Sequence, residues 1–365
     1  MIGGVVSAER PTLDTVAKAA GVSRMTVSNA YNRPDQLSAA TRKRVLAAAE
    51  TLGYGGPDPA GRSLRRRRAG AVGVLMSEDL AYAFTDPGLV AFMSGLAQEL
   101  GSAGQAILLV PPEADHDGSL VRNAIVDAFI MCAVDDHDSA VAAVLARRLP
   151  IVAAGSPRLS GVPFVGIDNS AGGALAAQHL LDLGHTRFGI VTRPVKQDLA
   201  GTWRGGAPRR GIRQRVEGFT QAIREAGIDE SAITVVTAKA NTEESGARSS
   251  MALLDGPPES RPTAIFAVTD VLALGVLAAA KAIGRKVPDS LSVVGFDDIR
   301  AAGSSVPPLT TVAQSLYEQG RQAARMALAL MAGETVCPTR ISAELVIRES
   351  TAPPGSVRRW RSQDS

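Results

Sequence analysis

From Ala71 onward, short apolar runs alternate with longer stretches of helical periodicity, and that alternation restricts the chain to few folds. The runs "AVGVLM", "AILLV", "AFIMCAV" and "PIVAAG" are spaced by "GLVAFMSGLAQELGSAG" and "AVAAVLARRL". After "FVGIDN" the rhythm resumes with "FGIVT", "ITVVTA", "TAIFAVTD" and "LSVVGFDD", spaced by "AGGALAAQHLLDLGH", "QRVEGFTQAIREAG" and "ALGVLAAAKAIG". Strand-helix alternation on this scale implies α/β architecture, with doubly wound parallel sheets covered by helices on both faces. Two such stretches imply two lobes. Ligands of these sheets bind at the carboxyl ends of the strands, so a cleft between the lobes is the natural small-molecule site.

The first 70 residues read differently. Thr12 is a candidate N-cap for "LDTVAKAA", whose apolar face is Leu13, Val16, Ala17 and Ala20. Gly21 stops that helix where a left-handed residue is cheapest. Ser23 caps a second short helix held inward by Val27 and Ala30, and two helices joined at a Gly-containing turn make a helix-turn-helix. A third helix begins at Ser38 and is expected to bury Val45, Leu46, Ala49 and Leu52. Residues 1–70 carry twelve Lys or Arg against five acids, whereas the other 295 residues have a net charge of −4. A basic head on a mildly acidic body favours a polyanionic partner, DNA ahead of a protein-binding helical hairpin.

On the second helix, Arg24 and Met25 stand at the N-terminal end, where side chains reach base edges in the major groove. Arg24 suits guanine O6 and N7, and Met25 suits a thymine methyl. Thr26, Ser28 and Asn32 are short hydrogen-bonding residues expected on the outer face for phosphates, and Asn29 either reads adenine or fixes the backbone. The following stretch, "GYGGPDPAGRSLRRRRAG", is rich in Gly, Pro and Arg, with Leu64 as its single large apolar residue. Its residues alone leave two readings open. Leu64 is either a minor-groove wedge flanked by phosphate-binding arginines or part of a solvated tether.

Several classes of function are disfavoured. Two cysteines, Cys132 and Cys337, make no disulfide framework. The start "MIGGVVSAERPT" lacks a signal-peptide h-region, and no apolar run is long enough to span a membrane, so a cytoplasmic, nucleoid-associated protein is expected. The body carries neither G-x-G-x-x-G after its first strand nor G-x-x-x-x-G-K-[ST]. His179 and His185, six apart, face different sides of a helix and have no cysteine partner, so neither a metal nor a cofactor is expected. Asp297 and Asp298 end a strand, a good place for a ligand-binding carboxylate. Without a neighbouring base or nucleophile signature, binding is favoured over catalysis.

The ordered set "TLDTVAKAAGVSRMTVSNAYN", "LGYGGPDPAGRSLRRRRAGAVGVL", "GIDNSAGGALAAQHLLDLGHTRFGIVT", "RQRVEGF", "FAVTDVLALGVLAAAKAIGRKVPDSLSVVGFDDI" and "LVIREST" resembles the LacI/GalR-type transcriptional regulators from Thr12 to Thr351. The resemblance implies a DNA-binding headpiece over 10–56, a hinge over 57–70, a two-lobed domain resembling periplasmic sugar-binding proteins over 71–351, and a tail. Lobe 1 is expected over about 71–166 and 314–335, and lobe 2 over about 167–313 and 336–351. The resemblance also implies a non-enzymatic repressor that binds a near-palindromic operator as a homodimer and responds to a small polar effector such as a sugar. It places Arg24, Met25 and Asn29 at base-reading positions and Ser23, Thr26, Ser28 and Asn32 at backbone-contacting ones. Leu64 then matches the hinge wedge, with Arg62 beside it. Ser77, Arg215, Thr269 and Asp297 match effector contacts, with Phe296 adjacent.

Four features depart from the family pattern. Gly61 stands where alanine is usual in the hinge, and glycine costs a helix roughly 1 kcal/mol against alanine. Thr269 replaces a frequent asparagine, and Gly155 a frequent polar ligand contact. The 194–211 connection is longer and more basic than usual. The final "TAPPGSVRRWRSQDS" has no heptad repeat, so a dimer is expected rather than a tetramer.

Overall fold

The structure is a computed structural model that describes residues 11–56, 68–76, 79–111, 118–136, 138–193, 210–257 and 259–355. Arg62, Leu64 and Ser77, most of the 57–70 hinge and most of the 194–211 connection lie outside those residues. The chain divides into two compact units, Met1–Gly70 and Ala71–Ser365.

The first unit is built on helices α1 (Leu13–Ala20), α2 (Arg24–Asn32) and α3 (Ala39–Thr51). Thr12 and Thr15 form a reciprocal capping box on α1, and Gly21 ends the helix in the left-handed region at φ 63°. Ser23 and Ser38 cap the next two helices by accepting from the backbone N–H groups of Thr26 and Thr41. Val16, Ala17, Ala20, Val27, Ala30, Val45 and Ala49 form the core, with Tyr31 and Tyr54 packed edge to face over it. Leu52, expected inside, is exposed because the helix ends one residue before it and the C-cap points it outward; Leu46 is only half-buried.

The second unit contains two six-stranded sheets. Sheet 1 holds β1 (Ala71–Met76), β2 (Ala106–Val110), β3 (Ala128–Cys132), β4 (Ile151–Ala154), β5 (Phe164–Gly166) and β11 (Thr339–Arg340), ordered β11-β5-β4-β3-β1-β2. Sheet 2 holds β6 (Phe188–Thr192), β7 (Ile233–Thr237), β8 (Ala264–Ala267), β9 (Ser292–Asp297), β10 (Thr310–Ala313) and β12 (Glu344–Val346), ordered β12-β10-β9-β8-β6-β7. Every pairing is parallel except that of β12 with β10. The central strands are buried on both faces, so their residues alternate between two cores. In β1, Val72, Val74 and Met76 join one cluster and Leu75 joins the other.

The connecting helices are α4 (Leu80–Ala83), α5 (Pro87–Ser102), α6 (Ser119–Asn123), α7 (Ser139–Ala146), α8 (Asn169–Asp182), α9 (Arg210–Glu225), α10 (Glu243–Leu254), α11 (Asp270–Ala282), α12 (Arg300–Ser304) and α13 (Leu316–Met331). Three pairs of them touch through facing glycines. A Cβ on Gly95 of α5 would lie 2.1 Å from Tyr317 O, and one on Gly320 of α13 would lie 2.1 Å from Phe92 O. Gly173 and Gly218 join α8 to α9 in the same way, and Gly246 and Gly275 join α10 to α11. The backbones approach too closely for any side chain.

The chain passes between the sheets three times: after β5, between β10 and α13, and between β11 and β12. The expectation that 336–351 lies wholly in lobe 2 is therefore corrected. Thr339 pairs with Val165 in sheet 1, and the last passage falls between Arg340 and Glu344. Among the described residues, no helix is long and apolar enough to cross a membrane.

Candidate functional site

In the first unit, α2 presents Arg24 and Met25 at its exposed N-terminal end, with Met25 67% exposed. Arg24 lies 3.5 Å from the carboxylate of Asp14 on α1, an exposed pair that leaves the guanidinium available to a stronger anion. Ser23 is exposed but spends its hydroxyl on the cap, bonding Thr26 Oγ1 at 2.9 Å. Asn29 and Thr26 are half-buried. Ser28 corrects an expectation, since at 7% exposure it faces inward rather than outward. Asn32 Nδ2 donates to Ser28 O at 3.0 Å and Oγ at 3.3 Å, so these two residues stabilise the end of the helix by bonding each other.

In the second unit, the carboxyl ends of both sheets line one cleft of about 160 Å³. Its polar centre is Arg215 on α9, 7% exposed. Arg215 Nη1 donates to Val268 O at 2.6 Å and to Asp297 Oδ1 at 3.1 Å, and Nε donates to Asn169 Oδ1 at 3.0 Å. Beneath it lies the Phe296 ring, its centroid 3.7 Å from the guanidinium carbon, a cation–π stack that fixes the plane of the fork. Phe296 is itself fully buried and does not line the cleft, which corrects the expectation of an effector contact. Alternation along β9 turns Asp297 toward the cleft and Phe296 into the core.

Asp297 also accepts from Gln314 Nε2, and Gln319 Nε2 donates to Gln314 O at 2.7 Å. Burial pushes the Asp297 carboxyl up to about 6, with Arg215 opposing, and the same burial pulls the Arg215 guanidinium down. Behind them Asp270 is completely buried. It accepts from Thr311 Oγ1 at 2.5 Å and from Ile299 N at 2.9 Å, and burial followed by the charge of Asp297 pushes its carboxyl up to about 7.

Thr269 caps α11, accepting from Leu272 N, and donates to Asn241 Oδ1 at 2.6 Å. Asn241 Nδ2 then crosses to lobe 1, donating to Tyr82 Oη at 2.9 Å and Asp86 Oδ2 at 3.0 Å. Tyr82 donates to the same Asp86 oxygen, and burial raises its phenol. A second crossing joins Arg210 at the start of α9 to Asp136 beyond β3. The two lobes are thus latched on either side of the cleft.

Backbone strain gathers here too. Of the five non-glycine residues with positive φ among the described residues, Ala133 (52°), Asp297 (121°), Asp298 (56°) and Ser315 (43°) lie at or just beyond the carboxyl ends of strands around the cleft. Such residues persist where surrounding contacts hold them, as Arg348 does by donating to Asp298 at 2.6 Å.

Arg215, Thr269, Asp297 and Gly155, singled out from the sequence, all stand in the cleft wall. The sequence reading missed Asp86, Phe92, Asn169, Arg193, Asn241 and Gln314. Asn169, Arg193 and Gln314 closely follow β5, β6 and β10, so the rule of ligands at strand carboxyl ends was the signal that pointed to them.

Comparison with known proteins agrees with both units. Residues 12–56 match the bacterial regulatory proteins of the lacI family, and residues 177–351 match the periplasmic binding protein-like domain. An HTH-type transcriptional regulator of Mycobacterium tuberculosis is 40% identical over 355 residues, covering 94% of this chain and 98% of that protein. The HTH-type transcriptional repressor CytR of Escherichia coli is 33% identical over 357 residues, covering 93% and 96%. The structure of the transcriptional regulator CelR in complex with cellobiose aligns with a TM-score of 0.66 at 31% identity, covering 93% of this chain and all of that one. The chain belongs to the LacI family of bacterial regulatory proteins: it is a DNA-binding transcriptional regulator and not an enzyme.

Proposed function

We propose that this regulator is a repressor whose operator affinity is set by a small, neutral, hydroxyl-rich effector, a sugar or a related polyol, held between the lobes. The composition of the cleft wall carries this reading. Asp86 and Asp297 are matched by Arg193 and Arg215, Asn169, Asn241 and Gln314 supply amides, and Phe92 and Leu89 supply an apolar wall. Paired charges and amides suit hydroxyls that both donate and accept, and they favour no net charge on the ligand. The volume is well below the roughly 300–1,000 Å³ of drug-sized pockets, which favours a single ring. The sugar bound by CelR and the repressor role of CytR support the ligand class and the role, although cellobiose, with two rings, is larger than the single ring this cleft favours.

The operator is read by Arg24 and Met25, with Asn29 on the same helix, and gripped at phosphates by Ser23, Thr26 and Asn32. Leu64 and Arg62 of the hinge insert at the minor groove of a near-palindromic site. A homodimer supplies the two half-sites. An edge strand supports this, because β2 is "AILLV" throughout and leaves Leu108 38% exposed, an apolar edge that a monomer would have to shield. The protein works in the cytoplasm, on the nucleoid. Effector and operator affinities are coupled reciprocally, by about 1–3 kcal/mol.

A mobility shift on the DNA upstream of the protein's own gene, repeated with a panel of sugars and polyols, tests this. One neutral polyol should shift operator affinity, and Asp297→Ala should abolish that response while sparing operator binding. Arg24→Ala should relax preference at one base pair per half-site. A response confined to charged metabolites overturns the effector class, and a uniform loss with Arg24→Ala on every sequence overturns base reading.

A further inference from the structure

The strands of sheet 2 bring their carboxyl ends to the cleft, and their amino ends build something else. Arg187 immediately precedes β6, Arg261 and Thr263 precede β8, Arg285 follows α11, and Ser290 precedes β9. These five line a depression of about 440 Å³ at the sheet edge opposite the cleft. We infer that this depression is a second ligand site, selective for a small oxyanion of the phosphate type, free or carried on a metabolite.

The fold leaves the charge gathered here uncompensated. Arg187 Nε donates to Arg261 O at 3.1 Å. Arg285 Nη2 donates to Pro262 O at 2.7 Å and Ser290 O at 3.2 Å, and Arg261 Nε donates to Gly256 O. Every one of these acceptors is a neutral backbone carbonyl. Among the described residues, no carboxylate pairs with any of the three guanidiniums, although arginines elsewhere in the lobe find Glu217, Glu230, Glu244, Asp297 and Asp298. The Nη1 of Arg285 is shielded from solvent and has no acceptor among the described residues. Burial and the nearby charge of Arg261 both pull the Arg285 guanidinium down, a sign that the cations repel one another.

A purely structural role would need one clamp on the 261–263 turn, and a neutral amide would serve. Three guanidiniums there raise the local potential with only neutral carbonyls as partners among the described residues. A phosphoryl group would supply several acceptor oxygens and the missing negative charge, and planar guanidinium forks match its geometry. Thr263 adds a hydroxyl whose oxygen already lies 2.9 Å from His185 Nδ1 and faces the same turn. The cleft differs in this respect, because there Arg215 is paired with the Asp297 carboxylate.

Isothermal titration of the full chain with inorganic phosphate and, separately, glucose 6-phosphate tests the site, with ionic strength held constant by chloride. At least one ligand should bind saturably, one per chain. Tighter glucose 6-phosphate identifies a phosphorylated metabolite as the source, and equal or tighter phosphate identifies the free ion. Arg261→Gln with Arg285→Gln should weaken binding at least tenfold, and Asp297→Asn should leave it within twofold. Arg187 is exposed and bonds a single carbonyl, so Arg187→Gln keeps the test valid if the double variant misfolds; it should weaken binding three- to tenfold. Absence of saturable binding, unchanged affinity in the arginine variants, or loss of binding with Asp297→Asn would each overturn the inference.

Discussion

The two lobes share a strand order, each a doubly wound sheet with its sixth strand contributed by the last crossing of the chain, yet they bury different chemistry. Among the described residues, the buried Asp, Glu, Lys and Arg side chains are Arg215 and Asp270, both in lobe 2, and Asp297 is nearly as deep. Among the described residues, lobe 1 buries no Asp, Glu, Lys or Arg. Lobe 2 is therefore a wired polar half, with Arg215 joined to β8, β9 and α8 at once. Lobe 1 presents a largely apolar wall and meets the other half through exposed or half-buried groups such as Tyr82, Asp86, Asp136 and Arg340, and through Gln319. The difference assigns recognition mainly to lobe 2 and closure mainly to lobe 1.

The sharpest way to break this contrast is to unwire lobe 2. Arg215→Met keeps much of the side-chain volume over Phe296 but strands Asp297, Val268 O and Asn169 without their shared donor. Removing one partner of a buried ion pair costs about 3–5 kcal/mol. Chemical denaturation should show that loss, with effector response abolished. A loss below about 1 kcal/mol would mean that the buried network is incidental to lobe 2.

Lobe 2 should also carry a pH signature that lobe 1 lacks. Burial raises Asp270 to about 7 and Asp297 to about 6, from an ordinary 3.8. The folded state then holds protons that the unfolded chain releases, so this contribution to stability is complete below about pH 4. It drains away as pH rises through 6 and 7. Asp270→Asn preserves the acceptor for Ile299 N–H and can donate to Thr311, without the charge. It should flatten the decline between pH 4 and 7 and be more stable than the parent at pH 8, by an amount on the order of 2–4 kcal/mol. Parallel stability-against-pH curves for the two proteins would remove Asp270 as the source.

What could be read from the sequence follows the same division. Sheet strands announced themselves because both faces of β1, β3, β6, β8 and β9 are buried, giving unbroken apolar runs. β10 to β12 did not, because they are two to four residues long and carry Thr, Arg and Glu. Asp297 was legible as the end of a strand, and the alternation that exposes it should have placed Phe296 in the core. Ser28 gave no such warning. A small polar residue beside an apolar stripe looks solvent-facing until its i+4 partner, Asn32, is seen to satisfy it. The latch of Asn241 on Asp86 spans 155 residues and two loops, and no local pattern encodes it.

That latch offers the subtlest test of the division of labour. Tyr82 donates to Asp86 and accepts from Asn241, so its hydroxyl sits at the junction of the two lobes while its ring packs within lobe 1. Tyr82→Phe deletes only the hydroxyl, leaving Asn241 its bond to Asp86 and its acceptor role toward Thr269. The expected loss of stability is about 1 kcal/mol, the net worth of one hydrogen bond with its partners still satisfied. The effect on ligand is the more telling measurement. If lobe 1 acts by closing, the variant should bind effector several-fold more weakly through faster dissociation, with association unchanged. Slower association with unaltered dissociation would make Tyr82 part of the recognition surface, and the functional contrast between the lobes would fail.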